Sequence, residues 1–339
     1  MSLAPDTASL RDEDYQDPDD LARVEARRRE RKISEAVLAG LIQVREVYSV
    51  ELATAAIQAG NFDAIKIQLS LSNAGDELQQ AFDEIADTYQ AVASRTAADM
   101  GYRFDRLASG TVTDLQNFRQ NMLTELGDSM VEAAQNLIVA GLQRGVPPNI
   151  IASDLAEIVG LSPSQAVAIQ NYRGMLERND LVALTRVNRN PSFDQEVRRH
   201  AVAAIPLGDK RIDVMVSAYV ARYLASRADG IAGTDASRAA NLGRAAAVDQ
   251  AIDQGGLDAS DVRRFWRVTL DERTCPFCIS VPLLNPAGVA LDQPYLSIDG
   301  PVDGPWDSHP ICRCSETHLN LSGGILTVQN FARIATSLL

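Results

Sequence analysis

All four cysteines of this 339-residue chain fall in Thr274-Cys275-Pro276-Phe277-Cys278 and Ile311-Cys312-Arg313-Cys314, with His309-Pro310 just before the second pair. The first 274 residues contain none. Thiolates are soft ligands, and two close pairs separated by about thirty residues match a single tetrahedral zinc site closing a loop. A Cys-x-x-Cys turn lets both sulfurs approach one ion. Cys312 and Cys314 lie two apart, so on an extended segment they share a face. The candidate ligands are Cys275, Cys278, Cys312, Cys314 and His309, one more than tetrahedral zinc uses. A four-sulfur set is the first expectation. Replacement of one cysteine by His309, held near the loop by Pro310, is the second. The plain alternative is four buried reduced thiols or a local disulfide pair.

Catalytic uses of such residues fit less well. A zinc deaminase carries P-C-x-x-C and H-x-E segments. Here the proline lies inside the pair, and none of His200, His309 and His318 is followed by x-Glu. A metal-dependent hydrolase needs an open coordination position and a nearby base. Glu272, Asp307 and Glu316 are near in sequence, but acids are common in loops. A zinc-ribbon reader of nucleic acid needs a basic stripe, yet residues 260–320 hold five arginines against eight acids. The net charge of −13 opposes sequence-independent phosphate binding as well. No catalytic residue is expected. His200, after Arg198-Arg199, reads as part of a solvated helix face, and His318 as a spare ligand. Trp266 reads as core for a small module rather than an interface anchor.

The elements that must position these residues are mostly helical. Residues 1–20 carry seven acidic side chains and one arginine, the composition of a tail with little to bury. Arg23 to Lys32 then reverses the charge and reads as the solvated start of a long helix. Alanine-rich, proline-free sequence predicts helix over 33–59. Leu78, Phe82, Ile85, Tyr89 and Val92 mark a stripe in a helix over 76–107. A similar stripe from Leu115 to Leu137 marks a helix over 113–144, stopped by Gly145 and Pro147-Pro148. Ser162-Pro163-Ser164-Gln165 is a capping box that should start a helix at Pro163. Further helices are expected over 191–204, 212–231 and 237–254, the last ended by Gly255-Gly256. From Phe265 to His318, Pro, Gly and Asp become frequent and helical periodicity gives way to short apolar runs such as Phe265-Trp266-Arg267-Val268. So small a module gains most from a metal staple. The fold class is therefore mainly α: long N-terminal helices and a helical middle region, with a small irregular α+β C-terminal module stapled by cysteines. No apolar run is long enough to span a membrane. No basic-then-apolar leader is visible, so a reducing compartment, which keeps thiols available for metal, is expected.

Residues 161–318 resemble the phage head-morphogenesis proteins, or Mu F-like minor head proteins, of tailed bacteriophages. The matching pieces come in order: Leu161 to Ala166, Asn171-Tyr172-Arg173, Leu184-Thr185-Arg186, Ser192-Phe193-Asp194, Pro206-Leu207, Ile212 to Val216 and Tyr219. Arg227 to Asp235 is similar to the family's R-A-x-x-I-A-R-T-E, with Gly233 and Asp235 in place of Arg and Glu. Asn241-Leu242-Gly243, Trp266, Asp271 to Cys275, Cys278, Pro294-Tyr295, Gly300-Pro301-Val302 and His309 to Cys314 complete the series. After Cys278 the chain departs from the Leu-Asp-Gly turn of many relatives. The resemblance implies a virion protein: a minor capsid component built into the procapsid, associated with the portal vertex and other head proteins. It would sit inside the shell near packaged DNA without sequence-specific binding, and in the host cytoplasm during assembly. The long N-terminal helices are the expected contact surface. On this reading the chain divides into an acidic tail and basic helix start (1–32), a long-helix region (33–145), a helical head-morphogenesis core (146–258), a cysteine-rich zinc module (259–320) and a C-terminal tail (321–339).

Overall fold

The computed structural model describes residues 18–268, 274–310 and 312–321. Most of the acidic segment, the tail beyond 321, and the Asp271-Glu272-Arg273 part of the family resemblance lie outside the described residues. Helix α1 (Pro18–Val47) begins well before residue 33 and takes in the basic Arg23–Lys32 run. It does not continue to 59. Ser49 turns the chain and accepts the Leu52 N–H at 3.2 Å, capping a separate helix α2 (Val50–Gln58). Asn61 does the same for α3 (Phe62–Gln68). The next helix, α4 (Gly75–Asp99), ends at Gly101, whose φ of +83° suits a glycine stop, rather than at Leu107. Helix α5 (Ser109–Gln143) stops at Gly145, φ +71°, as its sequence suggests.

The diproline after Gly145 does more than block α5. Pro148 occupies the first turn of α6 (Pro148–Ile158), a helix the stop signals had hidden, because proline's missing N–H costs nothing there. Ser162 and Gln165 form both hydrogen bonds of the capping box that opens α7 (Pro163–Glu177). A short 3₁₀ turn at Pro191–Phe193 precedes α8 (Asp194–Ala203). The two helices expected over 212–231 and 237–254 are one, α9 (Asp209–Asp253). Glycine costs a helix only about 1 kcal/mol relative to alanine. Burial of Ala228, Ala232, Ala236, Ala239 and Ala240 along α9 outweighs Gly230 and Gly233.

The chain forms two compact units, each assembled from separated segments. One comprises Lys32–Phe82 and Leu115–Gly230. There Arg45 donates to the Glu157 carbonyl at 2.8 Å and Tyr48, just past α1, to that of Ala152 at 3.1 Å, tying the end of α1 to α6. Tyr172 of α7 lies against Tyr219 of α9 with centroids 4.2 Å apart. The other unit comprises Met1–Arg31, Asp83–Asp114 and Ile231–Leu339. In it Gly243 lets α9 approach the α4 backbone so closely that a Cβ would collide with the Tyr89 carbonyl oxygen.

The second unit also holds the small α+β module. Strand β1 (Val262–Arg267) pairs antiparallel with β4 (Ser315–Asn320), Trp266 opposite Glu316 and Arg264 opposite His318. Between them lie α10 (Pro276–Leu284) and the hairpin of β2 (Tyr295–Ser297) and β3 (Gly300–Val302). No helix among the described residues is long and apolar enough to cross a membrane.

Candidate metal centre

The module's core is small: Trp266, Val281, Val289, Tyr295 and Val302 pack around Cys278, Cys312 and Cys314. Trp266 is buried edge-on to both Tyr295 and Phe277, so it serves the core as its sequence context suggested. None of the four cysteines is in a disulfide. Cys275 is the N-cap of α10, and its sulfur accepts the Cys278 N–H at 3.4 Å. Pro276 at the first helical position fixes that turn, so Cys278 stands one turn in with its sulfur near that of Cys275. The other ligand segment, from His309 to Cys314, leads into β4.

The five donors fall into two sets of three, each within 4.8 Å: Cys275, Cys278 and His309, then Cys278, Cys312 and Cys314. Cys278 belongs to both. The His309 Nε2 lies 3.1 Å from the sulfurs of Cys275 and Cys278 alike. The Cys278 and Cys312 sulfurs are 3.7 Å apart. A tetrahedral ion with metal–sulfur bonds of about 2.3 Å sets its sulfurs about 3.8 Å apart, so that edge already has the size a zinc site requires. His309 Nδ1 lies 2.9 Å from the Pro310 carbonyl oxygen. A carbonyl only accepts, so Nδ1 carries the proton and Nε2 keeps the lone pair that a metal needs.

The sulfurs are electrically unequal. Hydrogen bonds from Cys278 and Cys314, with the Ser308 hydroxyl and Cys314 N–H behind them, hold Cys312 far below an ordinary thiol. The same bonds to Cys312 and Cys314, aided by burial, push Cys278 up. Such a set can bind a soft or borderline cation, and the residues present fit zinc in number, type and spacing.

A buried polar network holds β1 and β4 in register and so aims the His309–Cys314 segment. Glu316 is fully buried. Its Oε2 accepts from the Tyr295 hydroxyl at 2.9 Å and from Arg264 Nη1 at 3.3 Å. Arg264 also donates to the carbonyls of Asp303, at 2.7 Å, and Gln293. From α9, Asn241 accepts the Glu316 N–H at 2.9 Å and donates to the Cys314 carbonyl at 3.3 Å, while Arg244 donates to the Glu316 carbonyl. Sequence reasoning missed this network. The available signal was phase: Arg264 alternates with Val262 and Trp266 on the buried face of β1, which places a charge where a core residue belongs.

Other sequence candidates lie elsewhere. His318 is outside both donor sets, its Nε2 3.1 Å from Glu316 Oε1 but not aligned for a hydrogen bond. His200 Nδ1 meets the Ile205 carbonyl at 3.1 Å, helping end α8. Asp307 is exposed in a one-turn 3₁₀ segment, and Glu272 lies outside the described residues. Where the family motif has Arg and Glu, a Cβ on Gly233 would come 3.1 Å from the Glu30 carboxylate, and Asp235 sits 3.8 Å from Arg238. No known protein family, curated protein or solved structure matches this chain.

Proposed function

We propose that this chain is a structural minor capsid protein of a tailed phage or phage-like particle, needed for head assembly and associated with the portal vertex, with a C-terminal module held by one structural zinc ion. One observation carries the reading. Of the residues through which the chain resembles the head-morphogenesis family, Trp266, Cys275, Cys278, Tyr295, Val302, Cys312 and Cys314 pack together in the module's core. Motif residues used this way serve architecture. Bound zinc would supply folding free energy to a module too small to be stable through its apolar core alone.

In this role the long helices offer contact surface for portal and head subunits. The acidic balance of the chain keeps it from adhering to packaged DNA nearby. The protein joins the particle in the host cytoplasm and remains in the head interior or at the portal vertex. Mass spectrometry of purified heads against soluble lysate tests the assignment, with cross-linking to the portal protein as the second readout. Enrichment in heads with portal cross-links is expected. Presence in the soluble fraction alone would reject the structural role and return attention to a zinc-ribbon nucleic-acid reader or a metal-dependent hydrolase.

A further inference from the structure

On the outside of the C-terminal module, five large aliphatic side chains stay in water. They are Ile279, Leu283 and Leu284 of α10, with Leu296 and Ile298 of the β2–β3 hairpin, each 43–68 % exposed. Side-chain hydrogen bonds bring the two groups together. Ser280 Oγ accepts the Ile298 N–H at 3.2 Å. Asn285 accepts the Leu296 N–H at 3.1 Å and donates to the Leu296 carbonyl at 2.9 Å. The hairpin therefore lies along α10, with Ile298 level with the Ile279 turn and Leu296 level with the Leu283-Leu284 end. Exposed aliphatics gathered in this way mark a contact surface. The same bonds occupy the outward N–H and C=O of Leu296, so β2 cannot recruit another strand there. What the face offers is side chains, which suits the apolar stripe of a helix.

Charge decides which helix fits. Residues 275–308 contain four aspartates and no lysine, arginine or glutamate. Asp292, Asp299, Asp303 and Asp307 are all exposed. Asp299 sits in the hairpin turn at one end of the face, and Asp303 follows Val302, the partner of Tyr295, at the other. A two-fold contact between copies of this chain would repeat the acidic rim on both sides and set like charges together. A basic partner meets no such cost.

We propose that this face docks an amphipathic helix of another protein, one whose apolar stripe is bordered by lysine or arginine. The contact belongs to the C-terminal module rather than to the long helices, and no metal takes part in it.

The test uses the intact chain and a labelled Leu/Lys peptide forming one amphipathic helix of about five turns, read by fluorescence anisotropy and hydrogen exchange. Binding with new protection over residues 276–298 is expected. A Ser/Lys peptide without the stripe and a Leu/Glu peptide of reversed charge should each bind at least about tenfold more weakly. Leu283→Ser with Leu296→Ser should cost about tenfold or more while leaving the melting temperature unchanged, since both side chains are exposed. Asp299→Asn with Asp303→Asn should weaken binding and flatten its salt dependence. Equal binding of either control peptide, no binding, or protection elsewhere on the chain overturns the proposal. Self-association that Leu283→Ser abolishes would overturn it in favour of a second copy. Binding seen only after removal of residues 322–339 would overturn it in favour of that segment as the occupant.

Discussion

At the scale of single residues, Cys278 and Glu316 carry the module in different ways. Cys278 is the donor common to both sets of candidate ligands, so on the proposed zinc reading its loss breaks both. Cys275→Ser should likewise abolish stoichiometric zinc and expose residues 262–320 to hydrogen exchange, measurable by elemental analysis and exchange mass spectrometry. Glu316 is a buried charge answered by Arg264 and Tyr295. Arg264→Ala removes the arginine from that buried carboxylate and should cost about 3–5 kcal/mol in a urea titration. Tyr295→Phe removes one hydrogen bond to a charged acceptor and should cost about 1.5–3 kcal/mol. In the other unit, burial, then Glu157, raises the pKa of Asp154 above its ordinary 3.8, with Arg173 and Arg144 opposing and Glu177 adding to the rise. A raised carboxyl favours the folded state below the unfolded pKa, and that stability is lost as pH rises through the folded value. Asp154→Asn should therefore match the parent in melting temperature below about pH 4 and exceed it at neutral pH. A gain confined to acid would show the sign to be wrong.

The elements obey local rules until a neighbour overrules them. Gly243 shows the override: it stands mid-helix because α9 presses on the α4 carbonyl at Tyr89. Gly243→Ala should destabilise by about 1–3 kcal/mol through overpacking. The control is Gly110→Ala in α5, where nothing lies within 4 Å of the new Cβ, and helix propensity should make it neutral or stabilising by up to about 1 kcal/mol. Equal effects from the two, by thermal or chemical denaturation, would refute the close-approach explanation. Ser162→Ala tests the capping box of α7 and should cost about 1 kcal/mol.

For the molecule as a whole, the proposed zinc would couple metal and core where apolar area is scarcest. Chelation by EDTA should lower hydrogen-exchange protection across β1, α10 and β4 and leave α6 and α7 of the other unit protected. Uniform loss across both units would assign the metal a wider structural role than a staple. The division into two units also explains why contiguous sequence blocks are poor guides to what packs together. Residues near Tyr89 share a unit with Gly243, and residues near Gly40 share one with Leu78 and Gly160.

What the chain announced by itself is whatever depends on residue type and short spacing. Soft ligands in two tight pairs announced a cluster of donors able to hold a metal, and Ser162-Pro163-Gln165 and Gly145 announced a helix start and a helix stop. Each is decided within a few residues, where backbone geometry and ligand chemistry act without help. The tertiary structure decided the rest: that His309 faces two sulfurs, that α9 runs through its glycines, and that Arg264 finds Glu316. Those outcomes depend on burial and on partners distant in sequence, such as Asn241 for Glu316, 75 residues away. No local preference can specify which distant group will share a core.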